Sequence, residues 1–218
     1  MLKIAIIRNN LSYQQVSKEL YPFKVFSLND VKKAFPDFDS KRLVEWQEKG
    51  FIKKLINKWY LFAEVPLTEH LCFRISNCLH HPSYISLESA LAYYQMIPET
   101  AFSFQAVSTR KTTTYNTPAG TFNYRTVKPP LYFGYTIQHA QGLPALIAEP
   151  EKAILDFLYL NHRLQTPDDI AALRLNYATM QELIHWEKLL HYAKVFGSAA
   201  LDKRIKLLKK TLSNAYPS

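Results

Sequence analysis

Residues 27–62, SLNDVKKAFPDFDSKRLVEWQEKGFIKKLINKWYLF, constrain this chain most, because their punctuation leaves room only for short elements. The Ser27 hydroxyl can accept from an orphan amide of a first helical turn, which starts a helix over Leu28–Phe35. Pro36 stops that helix, since its ring clashes with the preceding turn and it has no amide to donate. Asp39 or Ser40 caps a second helix over Lys41–Lys49, and Gly50 ends it where a left-handed residue is wanted. Leu43 and Trp46 share one face of this second helix and point to the core, which turns Lys41, Arg42 and Glu45 outward. Phe51–Leu55 and Trp59–Phe62 are apolar-rich strands joined through the turn-forming pair Asn57-Lys58.

Upstream, Leu11–Leu20 offers Leu11, Val16 and Leu20 as core positions of a first helix ending before Pro22, and Phe23, Val25 and Phe26 suit a short strand that pairs with the hairpin. The order helix, strand, helix, helix, strand, strand is that of a winged helix-turn-helix, whose second helix can enter a DNA major groove. The same order serves elsewhere as a protein-binding module, so a partner protein without a DNA role is the alternative.

Charge favours a phosphate partner. Residues 1–64 carry 12 Lys/Arg and 7 Asp/Glu, residues 65–193 carry 9 and 10, and residues 194–218 carry 6 and 1. The excess of +9 therefore gathers on the first segment and on the tail, around a near-neutral middle. With 48% hydrophobic residues the chain can bury a core and is not a disordered one. No apolar run is long enough to span a bilayer. The start MLKIAIIRNN has too short an apolar run and no small-residue cleavage site, so no signal peptide is read. Cys72 and Cys78 alone do not make a disulfide framework and read as reduced thiols of a cytoplasmic protein.

After a joint at Ala63–Pro66 the pattern changes. Leu67, Leu71, Ile75 and Leu79 recur every four residues as a helix over 67–79, and Ser86 caps a helix over Leu87–Gln95. From 102 to 148 apolar residues alternate, as in Phe102, Phe104 and Ala106 or Phe122 and Tyr124, which means half-buried strands. Tyr132–Ile137 and Ala145–Ala148 read as two more strands, and threonines 112–114 suit a sheet edge. Pro150 opens a helix whose buried face is Ala153, Ile154, Phe157 and Leu158. Helices over 168–175 and 179–195 follow, with Gly197 at the end of the second. A basic amphipathic helix over 199–212 sets Leu201, Ile205, Leu208 and Leu212 opposite Lys203, Arg204, Lys206, Lys209 and Lys210. The expected fold class is α+β: a winged helix-turn-helix domain over 1–65, then an α+β domain over 66–218 with a small, mostly antiparallel sheet and a helical C-terminus.

Two clusters are candidates for other chemistry. His70, Cys72, Cys78, His80 and His81 lack the close paired spacing of a zinc site, and the two cysteines fall on different helix faces, so they read as small buried residues and surface histidines with no metal. Glu149, Glu151 and Asp156 offer carboxylates for acid–base work, but two of them sit where any helix start favours acids. No phosphate-binding glycine loop, nucleophile elbow or H-E-x-x-H motif is present, so neither an enzyme nor a cofactor is expected.

SYISLESALAYYQMIPE at 83–99 resembles the Ser-x-x-Ser-Ala-Leu helix start that follows the winged helix in the AbiE-type (AbiEi) family of antitoxins and transcriptional regulators. IAEPEKAILDFLYL at 147–160 is similar to that family's Glu-Lys-Ala-x-Leu-Asp helix after a β-rich segment. The likeness extends over about residues 10–195. It implies a bacterial DNA-binding regulator that represses its own operon and opposes a nucleotidyltransferase-like toxin encoded next door. It also implies DNA contacts at Ser40, Lys41, Arg42 and Glu45 of the second helix, and at Lys53, Lys54, Asn57 and Lys58 of the wing. Ser86, Ser89, Glu151 and Asp156 are then caps and packing residues. Glu45 and Glu48 depart from a purely basic reading helix, and Glu45 can accept from a cytosine amino group.

Overall fold

A computed structural model describes residues 11–98 and 103–215, with 214 and 215 as backbone only. The LKIAII run, Glu99 and Phe102 lie outside the described residues. The fold is α+β and divides into two compact units, one ending at Leu67 and including Thr117–Ala119, the other formed by the rest.

The first unit opens with α1 (Tyr13–Leu20), fixed by a capping box in which the Ser12 hydroxyl accepts from the Gln15 amide and the Gln15 side chain accepts from the Ser12 amide. Then come β1 (Val25–Ser27), α2 (Leu28–Ala34), α3 (Arg42–Glu48), β2 (Ile52–Ile56) and β3 (Trp59–Phe62). The strands form one antiparallel sheet in the order β1-β3-β2. Ser27 caps α2 as its sequence position predicts, and Asp30 closes the box from the other side, its carboxylate accepting from the Ser27 amide at 2.8 Å. Val16, Val31, Leu43, Trp46, Leu61 and Phe62 are each at most 2% exposed and make the core. Burial of that kind stabilises by about 1.5–3 kcal/mol per large side chain.

The second unit holds α4 (Glu69–Leu79), β4 (Ser83–Ile85), α5 (Leu87–Tyr93), β5 (Ser103–Ser108), β6 (Thr113–Thr117), β7 (Gly120–Thr126), β8 (Tyr135–Ala140) and β9 (Leu143–Ala148). Five helices follow: α6 (Pro150–Leu160), α7 (Pro167–Ala171), α8 (Tyr177–Leu183), α9 (Trp186–Phe196) and α10 (Ala199–Ala215). The sheet order is β6-β7-β5-β4-β9-β8. Its pairings are of both kinds: β4–β5 and β8–β9 are antiparallel, while β4 runs parallel to β9 and β5 parallel to β7. β4, at Ser83–Ile85, is a central strand of this sheet and meets β9 at Ile85–Ile147. All three of its residues are buried, so it has none of the alternation that marks a half-buried strand.

Other expectations shift for local reasons. Leu67 lies before α4 and is 45% exposed, because Thr68 takes the cap position. Tyr132 caps the end of a short 3-10 turn at Pro129–Leu131, and the strand starts at Tyr135. The stretch 179–195 breaks into α8 and α9 at Ile184 and His185, whose backbones are extended, and the His185 amide donates to Glu151 Oε1 at 3.0 Å. Arg204 is 8% exposed rather than outward, because its guanidinium donates to the carbonyls of Leu164 at 3.1 Å and Leu158 at 3.2 Å. That pins α10 beside the end of α6 and leaves Lys203, Lys206, Lys209 and Lys210 exposed.

Candidate nucleic-acid interface

The turn between α2 and α3 positions the face of interest. Phe35 ends α2 in an extended conformation, as a residue before proline must, and Phe38 is buried with its ring 5.6 Å from that of Trp46. The Asp39 side chain accepts from the Lys41 amide at 3.0 Å, which makes Asp39 the residue that prepares α3. The helix itself starts one residue later than expected, at Arg42. Leu43 and Trp46 are 1% and 2% exposed and fix its rotation. Lys41 and Glu45 are exposed as the spacing predicts, and Ser40 is exposed too. Arg42 is not fully outward: it is half-buried, with its guanidinium carbon 5.9 Å from the Trp46 ring centre. Gly50 ends the segment with φ of 71°, a conformation that costs a residue with a Cβ about 1–2 kcal/mol.

The hairpin carries the remaining candidates. Ile56 and Trp59 close the loop Asn57-Lys58, with Lys58 in a left-handed conformation, and both loop residues are exposed. β2 carries an irregularity between the Lys54–Tyr60 and Ile56–Trp59 pairs, where Leu55 is the extra residue. Along this strand Ile52 and Leu55 are buried while Lys53 and Lys54 are both exposed. The Lys58 carbonyl accepts from the Leu28 amide at 2.8 Å, tying the hairpin tip to the start of α2. Seven of the eight predicted residues are therefore solvent-facing, and one is half-buried. Composition does not single out Val44, which is 56% exposed on the same outward face as Lys41, Glu45 and Glu48. Its position three residues after Lys41 is the signal that places it there.

The other candidate clusters have structural settings. His80 is buried, not on the surface: its ring lies 4.6 Å from that of Tyr124 and 6.0 Å from that of Tyr115. Burial, with Arg110 nearby, pushes its pKa below the ordinary histidine value. His70 Nε2 sits 2.7 Å from the Leu143 carbonyl, and burial pushes the Cys72 thiol up to about 11. No group of three His, Cys, Asp or Glu side chains that could hold a metal ion occurs among the described residues.

Glu151 and Asp156 are 1% and 0% exposed on α6, which is buried from Glu151 to Leu158. Asp156 accepts from the hydroxyls of Tyr84 and Ser86, each at 2.9 Å, and pairs with the wholly buried Lys152 one turn away. Lys152 also donates to the Tyr84 oxygen at 2.7 Å. Ser86 thus stands at the start of α5 but spends its hydroxyl on Asp156 rather than on a cap, and Leu87 makes the turn at φ of 55°. Burial pushes Asp156 up and Lys152 down, each toward its neutral form, while their mutual attraction opposes both shifts. Glu151 and Glu149 both meet Lys188, at 3.1 and 3.3 Å, and the Tyr192 hydroxyl donates to Glu149 at 2.6 Å. Ser89 accepts from the Gln105 amide at 2.8 Å.

Against known proteins, no family model and no curated protein matches the chain. No helix among the described residues is long and apolar enough to cross a membrane.

Proposed function

We propose that the first unit is a winged helix-turn-helix that binds duplex DNA, and that the chain is a cytoplasmic transcriptional regulator of antitoxin type, without catalysis or cofactor. The observation that supports this reading best is the joint exposure of Lys41, at the start of α3, and of Lys53, Lys54 and Lys58 on the hairpin that follows it, where the Phe51 amide donates to the Trp46 carbonyl at 2.9 Å. Lysines at such positions anchor phosphates, while the helix between them reads base edges. The second unit then opposes a nucleotidyltransferase-like toxin, as the resemblance of 83–99 and 147–160 implies.

The test is retardation of a labelled duplex from upstream of the protein's own gene, at several salt concentrations, against a scrambled duplex. Selective binding with a steep salt slope is expected. Lys53→Ala with Lys54→Ala should lower that slope by about 2, one for each phosphate deprived of its lysine, with an unchanged thermal midpoint. Lys41→Ala with Arg42→Ala should abolish binding, and unchanged binding by that pair would remove α3 as the reading helix.

Glu45, Glu48 and the exposed Val44 favour a second reading, in which α3 docks a protein partner. Co-purification of a neighbouring gene's product without any DNA retardation would select it.

A further inference from the structure

The outward face of α3 carries more chemical information than its charge. Lys41, Val44, Glu45 and Glu48 follow the spacing i, i+3, i+4, i+7 and so lie along one side of the helix, opposite the buried Leu43 and Trp46. All four are exposed, and neither acid has an ion-pair partner among the described residues. Gln47, at the flank, spends its amide on the Leu43 carbonyl at 2.8 Å. A carboxylate beside a phosphate is repelled, so in a complex Glu45 has to lie over the floor of the groove, flanked by the phosphate-binding lysines. There the only donors are the amino groups of cytosine and adenine. Adenine sets its N7 acceptor next to that amino group, and the lone pair repels a carboxylate. Cytosine has a donor without such a neighbour. A bare isopropyl group at Val44 makes no hydrogen bond, and the apolar group that the major groove offers is the thymine methyl.

Resting on the DNA-binding reading, we infer that α3 reads a pyrimidine pair, with Glu45 accepting from a cytosine N4 amino group and Val44 covering a thymine C5-methyl. Glu48 adds repulsion toward phosphates and keeps binding to unrelated duplex weak, so selectivity comes from these two contacts rather than from charge.

Selection of duplexes from a random pool by the full chain, followed by affinity measurement on the enriched site, tests this. One position of the site should require cytosine and another thymine. Replacing that thymine by deoxyuridine, which lacks the methyl, should weaken the native protein about fourfold, the worth of one buried methyl, and leave Val44→Ala unaffected. Glu45→Gln should move the preference at the cytosine position to adenine, whose N6 and N7 match a carboxamide, by about tenfold or more. An enriched site indifferent to the methyl and unchanged in Glu45→Gln would overturn the inference and leave DNA binding standing. No enriched sequence at all would overturn both. Both positions are exposed, so an unaltered thermal midpoint of each variant certifies that folding is not the cause.

Discussion

Replacing Asp156 by alanine should unsettle the second unit more than any surface change. The carboxylate takes three donors: the hydroxyls of Tyr84 and Ser86 at 2.9 Å and the ammonium of Lys152. Without it, Lys152 keeps one hydrogen bond, to Tyr84, inside a shell where the rings of Phe133 and Phe196 stand 5.2 and 5.1 Å from its nitrogen. Breaking a buried pair from one side costs about 3–5 kcal/mol, a large share of the roughly 5–15 kcal/mol that holds a domain folded. Lys152→Met should cost a similar amount. The double variant Lys152→Met/Asp156→Ala removes both charges, so it should fall short of the sum of the two single costs by about 1–3 kcal/mol. Urea unfolding followed by Trp186 fluorescence and circular dichroism measures all four corners of the cycle. Lys152→Met also carries a sign in pH. Asp156 is already raised by burial, and without Lys152 it rises further, so the folded state holds its proton more tightly than the unfolded chain. Its stability should therefore fall as pH climbs from the ordinary carboxylate range through the raised folded value. Single costs that add to within about 0.5 kcal/mol would refute the coupling on which this rests.

Two further outcomes follow from the packing. His80 has its pKa lowered by burial and by Arg110, so the unfolded chain binds its proton first, and stability should drop as pH falls from about 6.5, the free imidazole value, toward the depressed one. His80→Gln should flatten that part of the pH profile, and an unchanged slope would remove His80 as its source. At Gly134, with φ of 69°, an added Cβ would stand 3.1 Å from Lys152 Cβ, Lys152 Cγ and Tyr192 Cε2. Gly134→Ala should thus cost about 2–4 kcal/mol in the same urea assay, from left-handed strain and overpacking together, whereas Gly142→Ala, with φ of 76° and open space around it, should cost only the strain.

Local chemistry is readable from the residues; long-range pairing is not. Ser27, Pro36 and Gly50 announce where helices begin and end, because caps and breakers act within one turn, and Leu43 with Trp46 announces which face of α3 is buried. The exposure of Lys53 and Lys54 together is not visible there, since strict alternation sends neighbours to opposite faces and the Leu55 irregularity is a product of pairing with β3. The burial of Lys152 and Arg204 is equally hidden. A helix wheel reads both as solvated: Asp156, one turn along α6, is a local partner for Lys152, but the Tyr84 side chain and, for Arg204, the carbonyls of Leu158 and Leu164 are brought in by the fold. β4 escapes detection because three buried residues in a row carry no period.

The register of β4 sets the order in which the protein can assemble as it is made. Ile85 pairs with Ile147, and the hydroxyls of Tyr84 and Ser86 are satisfied by Asp156. A nascent chain that has just left the ribosome at α5 thus owns the centre of a sheet it cannot complete until β9 and α6 emerge. The first unit, by contrast, closes its three-stranded sheet by residue 62. Pairing over such separations is slow and leaves apolar strands exposed meanwhile. Stalling or truncation between α5 and β9 should therefore give an aggregating second unit tethered to a folded first one.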